Sequence, residues 1–119
     1  MIDISVIISV YKNNHLLEQL IRKLLKQLSN KGEIIVVADE PDQETLIILK
    51  EHDSVIKYFI NKKKKGKLYA LNFGTKKAIG SNLLFLDIDK KIGDDYFVEK
   101  VIEEINNQSL LDVKNKGHN

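Results

Sequence analysis

The chain has no cysteine, and that one absence excludes a disulfide framework, a thiolate zinc site and a cysteine nucleophile. Its three histidines, His15, His52 and His118, are scattered in polar helical or terminal settings and read as ordinary surface residues. Any metal would therefore be held by oxygen. No apolar run approaches the roughly 18 residues that span a bilayer, and Met1-Ile2-Asp3-Ile4 lacks the basic start of a signal peptide, so a cytoplasmic location is expected. There is no Walker phosphate loop, no internal repeat and no aromatic interleaving for stacking single-stranded nucleic acid. No specific nucleic-acid partner is expected.

What remains is one ordinary globular domain. The 119 residues are 43% hydrophobic and 30% charged, within the roughly 100–150 residues of a typical domain, with material for one core and no room for two separately folded halves. Net charge is only +2, yet the basic residues are eighteen lysines and one arginine, and Lys62, Lys63, Lys64, Lys65 and Lys67 fall within six positions. One loop is strongly cationic.

Ile4 to Val10 is short, β-branched and apolar on both faces, the pattern of a central parallel strand covered by helices on both sides. Leu16, Leu17, Leu20, Ile21, Leu24, Leu25 and Leu28 then recur at threes and fours, which predicts a helix with Asn13 or Asn14 as N-cap and Gly32 past its end. Glu33 to Ala38 repeats the buried-strand pattern and stops at Asp39-Glu40-Pro41-Asp42, where the single proline marks a strand-to-helix turn. A second helix follows over Glu44 to Glu51. Val55 to Ile60 reads as a third strand, nearer an edge because it includes Lys57 and Tyr58. A third helix spans Leu68 to Ile79, its bounds blurred by Gly74; Leu83 to Leu86 is a fourth buried strand; Tyr96 to Ile105 is a last helix introduced by Asp94-Asp95.

Strands alternating with helices predict an α/β, Rossmann-like three-layer αβα fold with a mostly parallel sheet and right-handed crossovers. Residues 1–105 form the expected domain and residues 106–119 a loose tail. Ligands of such sheets bind outside the carboxyl ends of the strands. This order puts Tyr11, Asp39, the lysine loop, Asp87 and Asp89 at that edge.

Each of these residues has a bland reading beside its chemical one. Asp87-Ile88-Asp89 leaves an apolar strand as an oxygen-only pair suited to Mg²⁺ or Mn²⁺, which use one or two carboxylates plus substrate phosphates; a lone Asp-x-Asp also simply caps a turn. Asp39 could accept hydrogen bonds from a base or ribose, or Asp39 or Asp42 could cap the second helix. Lys67, beside Gly66 at a helix start, is the lysine best placed to reach a phosphate, whereas Lys62 to Lys65 read as a solvated run with no specific role. Tyr11 could pack on a base or fill a turn.

Together these segments resemble the N-terminal, nucleotide-binding half of the inverting GT-A glycosyltransferases of family 2, which include cellulose, chitin and hyaluronan synthases. Four blocks carry the resemblance: Val6-Ile7-Ile8-Ser9-Val10-Tyr11; Glu33 to Asp39 with Asp42 and Thr45; Gly66-Lys67-Leu68-Tyr69-Ala70-Leu71-Asn72-Phe73-Gly74; and Ala78-Ile79-Gly80 before Phe85-Leu86-Asp87-Ile88-Asp89. The third is similar to the Gly-Lys-x-x-Ala-Leu-Asn-x-Gly signature of the processive synthases. The resemblance implies a nucleotide diphosphate sugar as donor, a uridine diphosphate sugar favoured, with Tyr11 packing near the base, Asp39 hydrogen-bonding it, Lys67 near the nucleotide, Asp87 toward ribose and diphosphate, and Asp89 on a bridging Mg²⁺ or Mn²⁺.

Three departures stand out: Ser9 where the family commonly has proline, Lys12 where it has asparagine, and Ala38 for the first acid of an Asp-Asp pair. The family's second half, which supplies the acceptor surface and the general base, has no counterpart after Asp89, and no catalytic base is assigned. The expectation is a donor-binding part, incomplete for catalysis, whose acceptor is unknown and whose missing half is a C-terminal or membrane-associated partner at the cytoplasmic face. The alternative is a non-catalytic nucleotide-binding or interaction module of the same fold. A haloacid-dehalogenase phosphatase fits less well, because its Asp-x-Asp belongs on the first strand, and here Lys90-Lys91 follow the fourth.

Overall fold

The structure, a computed structural model, describes residues 2–89 together with 103 and 105. Four strands and three helices alternate: β1 (Ile4–Tyr11), α1 (Leu17–Leu28), β2 (Gly32–Asp39), α2 (Gln43–Glu51), β3 (Lys57–Asn61), α3 (Lys67–Lys77) and β4 (Asn82–Asp87). The strands form one sheet in the order β3-β2-β1-β4, and every neighbouring pair is parallel. The expected αβα architecture is present.

Strand periodicity divides the core into two layers. Ile4, Val6, Ile8 and Val10 of β1 join Ile34, Val36 and Ala38 of β2 under α1 and α2, whose Leu17, Leu20, Ile21, Leu24 and Leu49 are fully buried. The other face, Ile7 with Ile35 and Val37, packs on Ala70 and Phe73 of α3 and on Phe59 and Phe85. The chain winds in one direction through α1 and α2, then returns through α3 to place β4 on the far side of β1. Strand order therefore reverses between β1 and β4, which is where ligands bind in such sheets.

Several boundaries differ from the sequence reading for local reasons. Neither Asn13 nor Asn14 caps α1: the N-cap is Leu16, with no side-chain cap, and Asn14 makes a local turn ahead of it, its Oδ1 accepting the Leu16 N–H at 2.9 Å. Gly32 opens β2 rather than ending the helix, and Ser29 makes that turn with φ 53°. Val55 lies in the turn whose N–H returns to His52 O at 3.0 Å, so β3 starts at Lys57. Leu83, Leu84 and Phe85 are only half-buried, because β4 is an edge strand among the described residues. Of the last expected helix, Glu103 and Ile105 are helical and Ile105 packs on the core; the rest of it and the 106–119 tail lie outside the described residues.

Gly74, which blurred the sequence pattern, sits inside α3 because the helix rests directly on β1. A Cβ there would meet Ile7 Cγ2 at 2.5 Å, and Ile7 is fully buried in the sheet. Gly74→Ala gains about 1 kcal/mol of helix propensity but forces the helix off the sheet at an overpacking cost of about 1–3 kcal/mol. A net loss of about 1 kcal/mol is expected in urea unfolding. An unchanged midpoint would show that α3 can lift freely.

At the amino end of the sheet, Glu33 ties four segments together. Its Oε2 accepts from Ser5 Oγ at 2.5 Å and from Ile79 N–H at 2.7 Å, its Oε1 pairs with Lys57 Nζ at 2.8 Å, and Ser5 Oγ accepts the Gly80 N–H at 2.8 Å. Burial pushes this carboxyl up, but the Ile79 N–H, Lys57 and Ser5 together outweigh it and hold it below the ordinary glutamate value. A depressed carboxyl contributes stability above its unfolded-state value and loses it as pH falls through the lower folded value. Glu33→Gln should therefore flatten the acid side of the stability profile below that ordinary value. Parallel wild-type and variant curves, from urea midpoints across the acid range, would remove Glu33 from the account.

Candidate functional site

The same alternation that sorts the core aims the polar residues at the carboxyl end. Ser9 and Tyr11 continue the Ile7 face of β1, Asp39 continues Ile35 and Val37, and Asp87 continues Leu83 and Phe85, so all four emerge on the α3 side of the sheet. There they line one cleft of about 300 Å³ with Lys64, Gly66, Lys67 and Asp89. All five residues singled out in the sequence, Tyr11, Asp39, Lys67, Asp87 and Asp89, meet in it. Ser9 was not foreseen there, and Lys64, expected at that edge with the rest of the lysine loop, was given no role of its own.

Of the two helix-capping candidates at the end of β2, Asp42 takes the cap. Its carboxylate accepts the Thr45 N–H at 2.9 Å and the Asn13 Nδ2 at 3.0 Å, and the Thr45 N–H holds it below the usual aspartate range. Asp39 is thereby left to the cleft. It is 5% exposed, with Oδ1 accepting from Asn61 Nδ2 at 2.9 Å and Oδ2 accepting from the Lys65 and Gly66 N–H groups at 3.0 and 2.9 Å. Glu40 Oε2 accepts the Lys64 N–H at 3.0 Å. Two successive carboxylates thus hold three successive amides, a cradle of the kind that binds anions, filled here by the chain's own side chains.

The lysine run is exposed, as the sequence reading has it, but this clamp fixes its backbone at Lys64, Lys65 and Gly66. Lys64 Nζ lies 4.3 Å from the Tyr11 ring centroid and Lys65 Nζ 4.7 Å from that of Tyr69. Gly66, with φ 89°, makes the turn that starts α3; a residue with a side chain would be strained there. Lys67, the first helical residue, lines the cleft at the positive end of the helix dipole.

Asp89 is held from the opposite side. Its Oδ2 accepts the Tyr11 N–H at 2.6 Å, its own N–H approaches Asp87 Oδ1 at 3.3 Å, and Asn14 Nδ2 fixes the intervening Ile88 carbonyl at 2.7 Å. Burial of the carboxyl and the charge of Asp87 push Asp89 above its usual range, against the pull of the Tyr11 N–H, Asn14 and Lys64. Lys12, where the family's asparagine commonly stands, has φ 59°. Asparagine tolerates that left-handed conformation better than lysine, which gives the departure a structural meaning: a strained turn, with the Lys12 carbonyl accepting from Thr45 Oγ1 at 2.8 Å.

The Asn14, Glu40 and Asn61 contacts escaped sequence reasoning because each joins residues more than twenty positions apart. Only the polarity of strand ends hinted at them.

A parallel sheet with a switch point between β1 and β4, gathering carboxylates and a clamped basic loop about one cleft, defines a Rossmann-like α/β domain. Residues 5–113 match the glycosyl transferase family 2 model, and the chain belongs to that family. It is 37% identical over 102 residues to an uncharacterized glycosyltransferase of Rickettsia conorii, covering 84% of this chain and 16% of the relative. It is also 36% identical over 88 residues to one of Rickettsia bellii, covering 72% of this chain and 13% of that relative. The chain thus spans about one eighth to one sixth of the length of these relatives.

Two solved structures share the fold. A mannosyltransferase from Pyrobaculum calidifontis, in complex with GDP-Man and Mn²⁺, superposes with a TM-score of 0.54 at 19% identity over 86% of this chain and 32% of its own. Residues 1–349 of S. aureus TarS, in complex with UDP, give 0.57 at 24% identity over 88% and 32%.

Proposed function

We propose that this chain is the donor-binding part of a glycosyltransferase, taking up a nucleotide diphosphate sugar, with a uridine diphosphate sugar favoured, together with Mg²⁺ or Mn²⁺. The observation that carries the reading is the single cleft at the β1–β4 switch point, in which Tyr11, Asp39, Lys67, Asp87 and Asp89 converge. Tyr11 offers a ring to the base. A carboxylate has about four lone-pair sites, and three at Asp39 are used within the chain, leaving capacity for a base or ribose donor. Lys67 and the start of α3 face the diphosphate.

The residues present fit a hard divalent cation. Asp87 and Asp89 share the cleft, and the charge of one raises the proton affinity of the other, a repulsion that a cation relieves. Among the described residues no group of three or more metal-ligating side chains occurs, so diphosphate and water would complete the coordination, as is usual for Mg²⁺. Asp89 would hold the ion, and Asp87 would approach ribose and diphosphate. Bound there, the ion would supply charge neutralisation of the leaving diphosphate.

Transfer with inversion requires an acceptor and a base, and no described residue is assigned either role. They belong to a further half in this proposal, with residues 1–105 as the donor domain, 106–119 leading onward, and the cytoplasm or its membrane face as the location. Calorimetry with UDP and Mn²⁺ tests the reading. Metal-dependent uptake by the full chain is the expected result, and no uptake would overturn it.

A further inference from the structure

Among Lys62, Lys63, Lys64 and Lys65, Lys64 is the one that lines the cleft. Its backbone cannot drift, because its own N–H is held by Glu40 and the next two by Asp39. Its side chain reaches across to the Tyr11 ring, with Nζ 4.3 Å from the centroid, while Lys65 turns away to Tyr69 at 4.7 Å. The aromatic face proposed to receive a base therefore has an ammonium on it.

An ammonium over a half-buried ring at the edge of an open cleft is weakly held, whereas the same group on a phosphate oxygen makes a charge-assisted bond roughly twice as strong as a neutral one. Both destinations lie in one cleft, and the four-carbon stem on a fixed backbone lets Nζ move between them. We propose that Lys64 is an internal ligand of the Tyr11 ring that transfers to the diphosphate of an incoming nucleotide. Base and diphosphate then favour each other: the diphosphate draws the lysine off the ring, and the freed ring takes the base. By linkage the cleft prefers the joined ligand over either part alone. This inference rests on the nucleotide reading above.

The test compares Lys64→Gln with the same chain carrying Lys64, using uridine and Mn²⁺-pyrophosphate as separate probes. Lys63→Gln, which removes an equal charge from the same loop, is the control. Lys12 Nζ lies 5.2 Å from the Tyr11 centroid, so Lys12→Asn is introduced in every background to keep that lysine from taking the vacated face. Lys64→Gln should bind uridine about 2–5-fold more tightly, as loss of a competing exposed cation–π contact implies, in an NMR titration that follows the Tyr11 ring. The same variant should bind Mn²⁺-pyrophosphate about tenfold more weakly by calorimetry, as loss of one charge-assisted bond implies. Effects of the same sign on both probes, or equal effects from Lys63→Gln, would overturn the role of Lys64 while wild-type uptake of UDP with Mn²⁺ stands. No uptake of UDP by wild type would remove the nucleotide reading and this inference with it.

Discussion

Asp39→Ala is expected to lower stability by about 2–4 kcal/mol, the sum expected when a buried acceptor is removed and leaves three donors behind. The donors are Asn61 Nδ2 and the Lys65 and Gly66 N–H groups, all within 2.9–3.0 Å of the carboxylate, and the residue is only 5% exposed. Water can reach the loop amides once the side chain is gone, which keeps the loss from growing larger. For a domain of this size the change corresponds to a fall in unfolding temperature of about 10 °C or more, read by circular dichroism. Nucleotide uptake should fall further than stability alone explains, because Lys64 and the start of α3 lose the anchor that aims them into the cleft.

Asp39→Asn separates charge from shape. The amide keeps one acceptor oxygen for the loop N–H groups, but its NH₂ then faces the Asn61 NH₂, and Asn61 must turn its own amide to offer an oxygen. About half the loss of the alanine variant is expected, since neutral hydrogen bonds contribute roughly half as much as charged ones. Wild-type stability in both variants would mean that the loop is held by something other than Asp39.

Asp89→Ala should weaken Mn²⁺-dependent uptake of UDP by at least about 100-fold, because even residues that only support a metal ligand are worth 10–100-fold. Its effect on stability should be small. The side chain accepts the Tyr11 N–H, but its partial burial and the charge of Asp87 work against the carboxylate, so a net loss of about 0.5–1.5 kcal/mol is expected. That contrast with Asp39→Ala, large on binding and small on unfolding, distinguishes a ligand-binding residue from one that builds the site. Equal UDP affinity in wild type and Asp89→Ala, measured by calorimetry with Mn²⁺, would take the metal away from Asp89.

How much of this was legible in the sequence depends on the range of each interaction. The strands and helices were, because β-branched runs and three-four spacing are local signals, and so was the parallel order, because βαβ alternation leaves few topologies. The strand-end residues Tyr11, Asp39 and Asp87 were legible for the same reason: a parallel sheet sends every strand's carboxyl end to one edge. Choosing between Asp39 and Asp42 as the helix cap was not, since both are acids close to the helix start. The structure decides it through geometry, with Asp42 one residue before α2 and within reach of Thr45 N–H, and Asp39 still on the sheet.

Sequence by itself thus determined the αβα architecture, the sheet edge at which the strand-end polar residues meet, and the residue types gathered there, all consequences of periodicity and chain order. Tertiary structure alone decided that the exposed lysine run is clamped through the backbone N–H groups of Lys64, Lys65 and Gly66, and that Lys64 among its four lysines lines the cleft. It also decided that Gly74 is a packing contact against Ile7. The physical reason is distance along the chain. The bonds from the loop amides to Asp39 and Glu40 join residues 24 to 27 positions apart, and no local pattern encodes a partner that only the closing of β2, β3 and α3 brings within 3 Å.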